Sequence, residues 1–321
     1  MKLYETLMTL PGVSGREENV RAYMKNYMEK YPNYEIKQDK LGSIFAYKKS
    51  KSEHAPVVMI AGHMDEVGFM VVKILTNGSL KLQALGGILG EVFVSQVMNV
   101  YTNKGNVVKG IIGSIPPHLK QSQSTNTEDL VLDIGAASKE EVKEWGINLG
   151  DMVLYENQFS YTHDKKRFIS KAIDNRYGCA LALETIKAFH EKDLDFDLVI
   201  GATVQEEVGL RGAETAANLF MPDMFIALDA SPANDLNAPD SLGKLGAGFL
   251  LRMFDPRNIM HQGLMTYFVN LAKKHKIAYQ PFVSKGGTDA AKTLDMHQGI
   301  LSTTIGLPAR YIHSTAAIDQ W

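Results

Sequence analysis

Seven ionisable residues of two chemical types stand where apolar runs end. His63 and Asp65 follow the run PVVMIA, Glu206 and Glu207 end the stretch that begins LVIGATVQ, and Asp229 follows MFIAL. Asp174 opens DNRYGCALAL, and His313 comes after ILSTTIGL. Imidazole and carboxylate are the donors that hard and borderline divalent cations accept. A single carboxylate past a strand is ordinarily a helix cap or turn former, and a single histidine is ordinarily a satisfied or surface residue. Carboxylates drawn together into one crevice would repel severely unless cations neutralised them. The set as a whole therefore points to metal ions. Glu206 and Glu207 are adjacent, and neighbours on a regular strand point to opposite faces. Both can serve one site only from a loop just beyond the strand.

Other chemistries leave no trace. There is no P-loop, G-x-G-x-x-G, H-E-x-x-H or G-x-S-x-G. SKGGTDA, at 284–290, has the glycines of a phosphate cradle but neither its Lys-Ser/Thr ending nor a regular helix pattern after it. The one cysteine, Cys179, excludes an internal disulfide framework and a cysteine zinc cluster, and its apolar run CALALETI reads as core. With 34 Lys and Arg against 36 Asp and Glu, net charge −2, nucleic acid is not an expected partner. No stretch is long enough to span a bilayer, and MKLYETLMTLPG lacks the apolar core of a signal peptide. A cytoplasmic protein without a membrane partner is expected.

The 321 residues amount to about two domains. PVVMIA is short, β-branched and continuous, the pattern of a strand buried on both faces of a parallel sheet. Ser14, Gly15, Arg16, Glu17 and Glu18 read as a helix start, with Val20, Tyr23, Met24, Tyr27 and Met28 following at helical spacing. From 67 to 167 the pattern changes to short segments such as VGFMVVKIL, SLKLQAL and NVVKGIIGS between Gly, Asn and Asp turns, an all-β unit. Beyond it, helices are expected over 179–189 and 260–275, and strands over 198–203, 225–229 and 300–305. The expected fold is α/β, with a discontinuous domain over 1–66 and 168–321 split by a β insertion over 67–167. Its chemistry would lie at the carboxyl ends of the strands.

The strings AGHMDEVGFMV, ISKAIDNRYG, VQEEVGLRGA, ALDASPAND, SKGGTDA and ARYIHS, in that order, resemble the glutamyl aminopeptidase family of dinuclear metallopeptidases, relatives of the tetrahedral aminopeptidases. The resemblance spans nearly the whole chain. It implies a zinc-peptidase-like α/β/α catalytic domain, with the inserted β domain serving oligomerisation and subunits forming a tetrahedral dodecamer. It also implies two divalent ions per subunit (Zn²⁺, Co²⁺ or Mn²⁺) and peptide substrates with a free N-terminus. Carried over by position, His63 and Asp229 would hold one metal, Glu207 and His313 the other, and Asp174 would bridge them. Asp65 would orient the His63 ring and Glu206 would be the general base. The family name implies a cation near an acidic first residue, for which Lys285 and Arg252 are the candidates. Family members usually continue past ARYIHS with a long C-terminal helix, whereas this chain stops at AAIDQW, so an exposed apolar patch is expected. Two other functions keep the same residues: a metal-dependent deacylase or amidase that needs no free amine, and a non-catalytic assembly protein if the short C-terminus disables the site.

Overall fold

A computed structural model describes residues 1–114, 118, 125–156, 159–238 and 240–320. Its frame is a nine-stranded sheet whose four central strands, in the order Asp197–Thr203, Val57–His63, Met224–Pro232 and Leu301–Ala309, run parallel. Ile44–Lys48 pairs antiparallel on one flank and Phe249–Asp255 on the other. Alternate residues of these strands feed opposite layers, as the period of two demands. Ile200, Ala202, Ile226 and Leu228 pack with helices Ile173–Phe189 and Gln262–His275. Their neighbours Val199, Ala61, Phe225 and Ala227 pack with Ala216 and Ala217 of helix Arg211–Phe220 and with Ala290 of Asp289–Thr293. Burial on both faces is why the strands read as unbroken apolar runs. The result is the expected α/β/α sandwich.

Strand Val57–His63 lies between Asp197–Thr203, the next strand of this sheet in the chain, and Met224–Pro232, which the chain then reaches by crossing back to the other side, so the direction of the connections reverses here. A crevice opens at such a switch point, outside the carboxyl ends of the strands. Gly62 and Gly178 let helix Ile173–Phe189 approach it: a Cβ on Gly62 would lie 2.6 Å from the Gly178 carbonyl carbon. That contact brings the first turn of the helix, with Asp174, over the strand ends.

Between 68 and 155, strands Gly68–Ile74, Leu80–Leu85, Val97–Tyr101, Val107–Ile112, Val131–Asp133 and Met152–Tyr155 close into a barrel. Phe69, Phe93, Val100, Leu132 and Val153 fill it. Among the described residues of this stretch, the α-helix Lys139–Glu144 departs from the all-β expectation. Its signal is the capping pattern Ser138…Glu141, in which Ser138 Oγ accepts the Glu141 N–H. Strand Ser160–Tyr161 joins Arg167–Ser170 and Ala317–Gln320 in a separate small sheet.

Two further expectations shift. The second helix starts at Glu18, not at Ser14. Gly15 at φ +77° takes the chain out of helical conformation, and Ser14 Oγ instead donates to buried Asp65 Oδ2 at 2.6 Å. SKGGTDA does run into a short helix, Asp289–Thr293. An apolar cleft of about 670 Å³, lined by Ile60, Phe189, Ile226, Leu264 and Tyr267, opens between helices Ile173–Phe189 and Gln262–His275. Among the described residues no helix is long and apolar enough to cross a membrane.

Candidate metal centre

All seven residues converge at the crevice. Asp174 sits between the two histidines: its Oδ1 is 3.3 Å from His63 Nε2 and its Oδ2 is 3.4 Å from His313 Nε2. On the His63 side, Asp229 Oδ1 lies 3.6 Å and Glu206 Oε2 3.9 Å from Nε2. On the His313 side, Glu207 Oε2 is 3.7 Å from Nε2. His63, Asp174 and Asp229 can offer ligand atoms to one ion and Asp174, Glu207 and His313 to another, while His63, Glu206 and Glu207 form a third cluster of possible ligand atoms. The donor set fits a divalent cation. Asp229 Oδ1 is buried and, among the described residues, has no hydrogen-bond donor.

Glu206 and Glu207 stand in a loop beyond strand Asp197–Thr203, as adjacency required. Asp65 holds that loop: its Oδ1 accepts the Glu206 N–H at 3.0 Å and its Oδ2 the Glu207 N–H at 3.1 Å. Asp65 also stands 3.4 Å from His63 Nδ1, and its main-chain carbonyl is closer, at 3.1 Å. Both ring nitrogens of His63 are thus constrained. The His313 ring is held from the barrel side, where the Gly87 carbonyl lies 2.7 Å from Nδ1.

The ionisation states express crowding without a countercharge. Burial pushes Glu207 up to about 8, with Asp174 adding to it. Burial drives Glu206 well above the carboxylate range despite nearby His63, and raises Asp229. Burial opposes charge on the histidines, yet the carboxylates win: His63 is raised well above 6.5, and His313 reaches about 10 through Asp174 and Glu207. Burial likewise opposes charge on Asp174, but His313 and His63 hold its carboxyl below the usual range. A bound cation would supply what this cluster of acids lacks.

A cavity of about 710 Å³ opens from the centre. Lys285 lines it and is exposed. Arg252 lines it too, but is buried and engaged: Nη1 donates to the Gly286 carbonyl at 3.0 Å and lies 3.6 Å from Asp255, and Nη2 donates to Ser231 Oγ at 2.7 Å. Its fork is committed to protein acceptors, so a bidentate grip on substrate would break those contacts. Sequence reasoning passed over Arg257, which lines the same cavity and is exposed. Its only signal was position, five residues after Arg252 in a turn. It also passed over Arg176, fully buried two residues after Asp174. Its guanidinium donates to the carbonyls of Met64, Leu7, Leu10 and Gly12, and Glu66 Oε1 sits 3.3 Å away beside Lys171. This knot ties the N-terminal segment to the residues between His63 and Glu66.

An α/β/α sandwich with a histidine–carboxylate cleft at the switch point of its sheet is a hydrolase scaffold of the zinc-peptidase-like class. The chain belongs to the family described as M42 glutamyl aminopeptidase, whose model matches residues 42–320. It is an aminopeptidase. It is 40% identical over 326 aligned positions to the glutamyl aminopeptidase of Lactococcus lactis subsp. cremoris, covering 99% of this chain and 91% of that protein. It is 32% identical to the lysyl aminopeptidase of Pyrococcus furiosus, covering 98% and 90%. Among solved structures it resembles a TET aminopeptidase from a marine sediment archaeon of the Thaumarchaeota (TM-score 0.92, 37% identity, 100% and 91% covered). It also resembles the Pyrococcus horikoshii TET1 peptidase, which can assemble into a tetrahedron or a large octahedral shell (TM-score 0.89, 30% identity, 99% and 94% covered).

Proposed function

We propose that this aminopeptidase is a two-metal enzyme of the cytoplasm that removes N-terminal glutamate or aspartate from peptides. The observation that carries the metal count is Asp174, which presents one carboxylate oxygen to each histidine, the arrangement of a bridging ligand. His63 and Asp229 complete one site; Glu207 and His313 complete the other. Zn²⁺, Co²⁺ and Mn²⁺ all suit a nitrogen and oxygen donor set. When bound, such ions lower the pKa of a water, polarise the scissile carbonyl and receive the free amine, confining cleavage to the first residue.

The chain's own groups do the rest. Glu206, its side chain largely buried, stands 3.9 Å from His63 Nε2, farther than Asp174 or Asp229, which suits a base beside the ions rather than a ligand. It takes the proton of the attacking water and returns it to the leaving nitrogen, worth about 10² to 10⁴ in rate. Asp65 keeps the Glu206 and Glu207 backbone in place during that exchange. Arg257 and Lys285 face the cavity as exposed cations and meet an acidic first side chain. The likeness to a glutamyl aminopeptidase supports this specificity. The β unit over 67–167 supports self-assembly of the discontinuous catalytic domain, 1–66 and 168–321, into a shell such as TET relatives form.

The test strips the protein with chelator, reconstitutes it with Zn²⁺, Co²⁺ or Mn²⁺, and assays a panel of aminoacyl chromogens, each free and N-acetylated. Turnover confined to free glutamyl and aspartyl substrates, restored by metal, is expected. Equal turnover of acetylated substrates would replace this reading with the deacylase one.

A further inference from the structure

The segment that carries Glu206 and Glu207 is held by more than Asp65. Gln205, directly before them, has φ +54°, a left-handed conformation that non-glycine residues rarely adopt. This turn ends strand Asp197–Thr203 and breaks its alternation, so that two adjacent glutamates face one centre. Something must hold it. The Gln205 N–H donates to Glu17 Oε1 at 3.0 Å, and the same oxygen accepts the Gly15 N–H at 2.8 Å. Three consecutive amides, 205, 206 and 207, therefore end on carboxylates from two other segments, Glu17 for the first and Asp65 for the other two. Ser14, on the Glu17 segment, donates to Asp65 as well, joining the two holders. Glu17 is 5% exposed, and among the described residues no cation forms an ion pair with it. Burial, with Asp65 adding to it, pushes its carboxyl up to about 7. A buried acid whose contacts are backbone amides is shaping the chain.

We propose that Glu17 is a positioning residue for the reaction, acting through the Gln205 amide to keep that residue left-handed and so to turn Glu206 and Glu207 together toward the centre. The inference rests on the assignment of Glu206 as base and Glu207 as ligand. What it requires of residue 17 is an acceptor at the right reach, not a charge. Glutamine keeps such an oxygen. Alanine removes it, and aspartate stops one methylene short.

The experiment combines kinetics of the metal-reconstituted enzyme with hydrogen exchange on the metal-free chain. Glu17→Ala is expected to lower kcat about tenfold or more while KM stays within about threefold, and Glu17→Gln to keep most of the activity. Glycine adopts positive φ without cost, so Gln205→Gly added to Glu17→Ala is expected to recover several-fold of the loss. In the exchange experiment, amides 205–207 should exchange about tenfold faster in Glu17→Ala while strand Asp197–Thr203 keeps its protection. Should Glu17→Ala fail to fold, Glu17→Asp takes its place with the same expectations. Unchanged exchange at 205–207 overturns the proposal, as does a Gln205→Gly addition that restores nothing. A wild type without turnover would instead overturn the proposed function, and exchange at 205–207 would still decide the role of Glu17.

Discussion

The two histidines of the centre are held by different kinds of scaffold. His63 ends a central parallel strand, is 2% exposed, and has both ring nitrogens among groups anchored on the sheet and on helix Ile173–Phe189. His313 lies past the last long strand at φ +58°, its side chain 36% exposed, and its ring is held by a carbonyl from the inserted barrel. One half of the centre is thus built by the sheet. The other half is assembled where two units of the chain meet. The sheet-built half depends on the core, while the other depends on loops whose stability is the lower of the two.

Substitutions of single ligands should break this contrast or sharpen it. Asp174→Ala removes the group both halves share, so both metal equivalents and all turnover should be lost; elemental analysis after desalting checks it. His313→Ala should release one equivalent and leave the His63 site loaded. Loss of both ions from His313→Ala would mean the halves are not separable. Glu206→Gln comes next and should keep both ions while lowering kcat by about 10² or more, because in the proposed mechanism it removes a proton carrier and not a ligand.

A smaller effect concerns stability. Glu207 is raised to about 8, and Glu17 and Asp289, both pushed up chiefly by burial, to about 7. An acid raised on folding stabilises below its unfolded pKa, and that contribution is lost as pH rises through the folded value. His313, raised to about 10, contributes in the same sense, its stabilisation fading as pH climbs toward that value. Asp174, lowered, acts only at acid pH, and Lys171, lowered by burial to about 8, opposes them only above that value. The Tm of metal-free protein should therefore fall by about 5 °C or more between about pH 5 and about pH 9. Metal should flatten the dependence. A flat curve without metal would mean that the crowding is relieved in some other way.

The same contrast governs what was legible in the chain. Strands buried on both faces announce themselves as apolar runs, and residues at their carboxyl ends, His63, Asp65 and Asp229, could be marked as a site from pattern alone. The contact between Glu206 and Glu207 and one centre was legible as a requirement, since adjacency forces a loop. The device that meets it, a left-handed Gln205 tied to Glu17, was not. A backbone conformation and a contact between residues 188 positions apart leave no periodic trace. Ser14 was misread for the same reason: hydroxyl before acidic residues is the local pattern of a helix cap, and only the fold brings Asp65 within reach. Arg176 was hidden because a buried guanidinium bonded to four carbonyls has the sequence appearance of a surface charge.

Specificity is where the two readings of the pocket diverge most finely. A carboxylate buried against the centre needs a cation, since leaving it unpaired is costly. Arg252, Arg257 and Lys285 line the cavity, but the Nη donors of Arg252 already serve Gly286 and Ser231 with Asp255 alongside. Arg257 and Lys285 are exposed, and of the two only the guanidinium presents a fork that matches a carboxylate. Arg257→Met should therefore cost glutamyl substrates about 2 kcal/mol in kcat/KM, roughly thirtyfold, while leucyl substrates change by less than about threefold. Lys285→Met should follow the same selectivity with a smaller loss. Arg252→Met should behave differently, lowering both substrates alike and reducing Tm, because it strips the contacts that tie Gly286, in the segment 284–287, to Ser231. If Arg252→Met alone discriminates against glutamyl substrates, the guanidinium gives up its protein partners when substrate binds. The pocket is then assembled by the ligand rather than preformed.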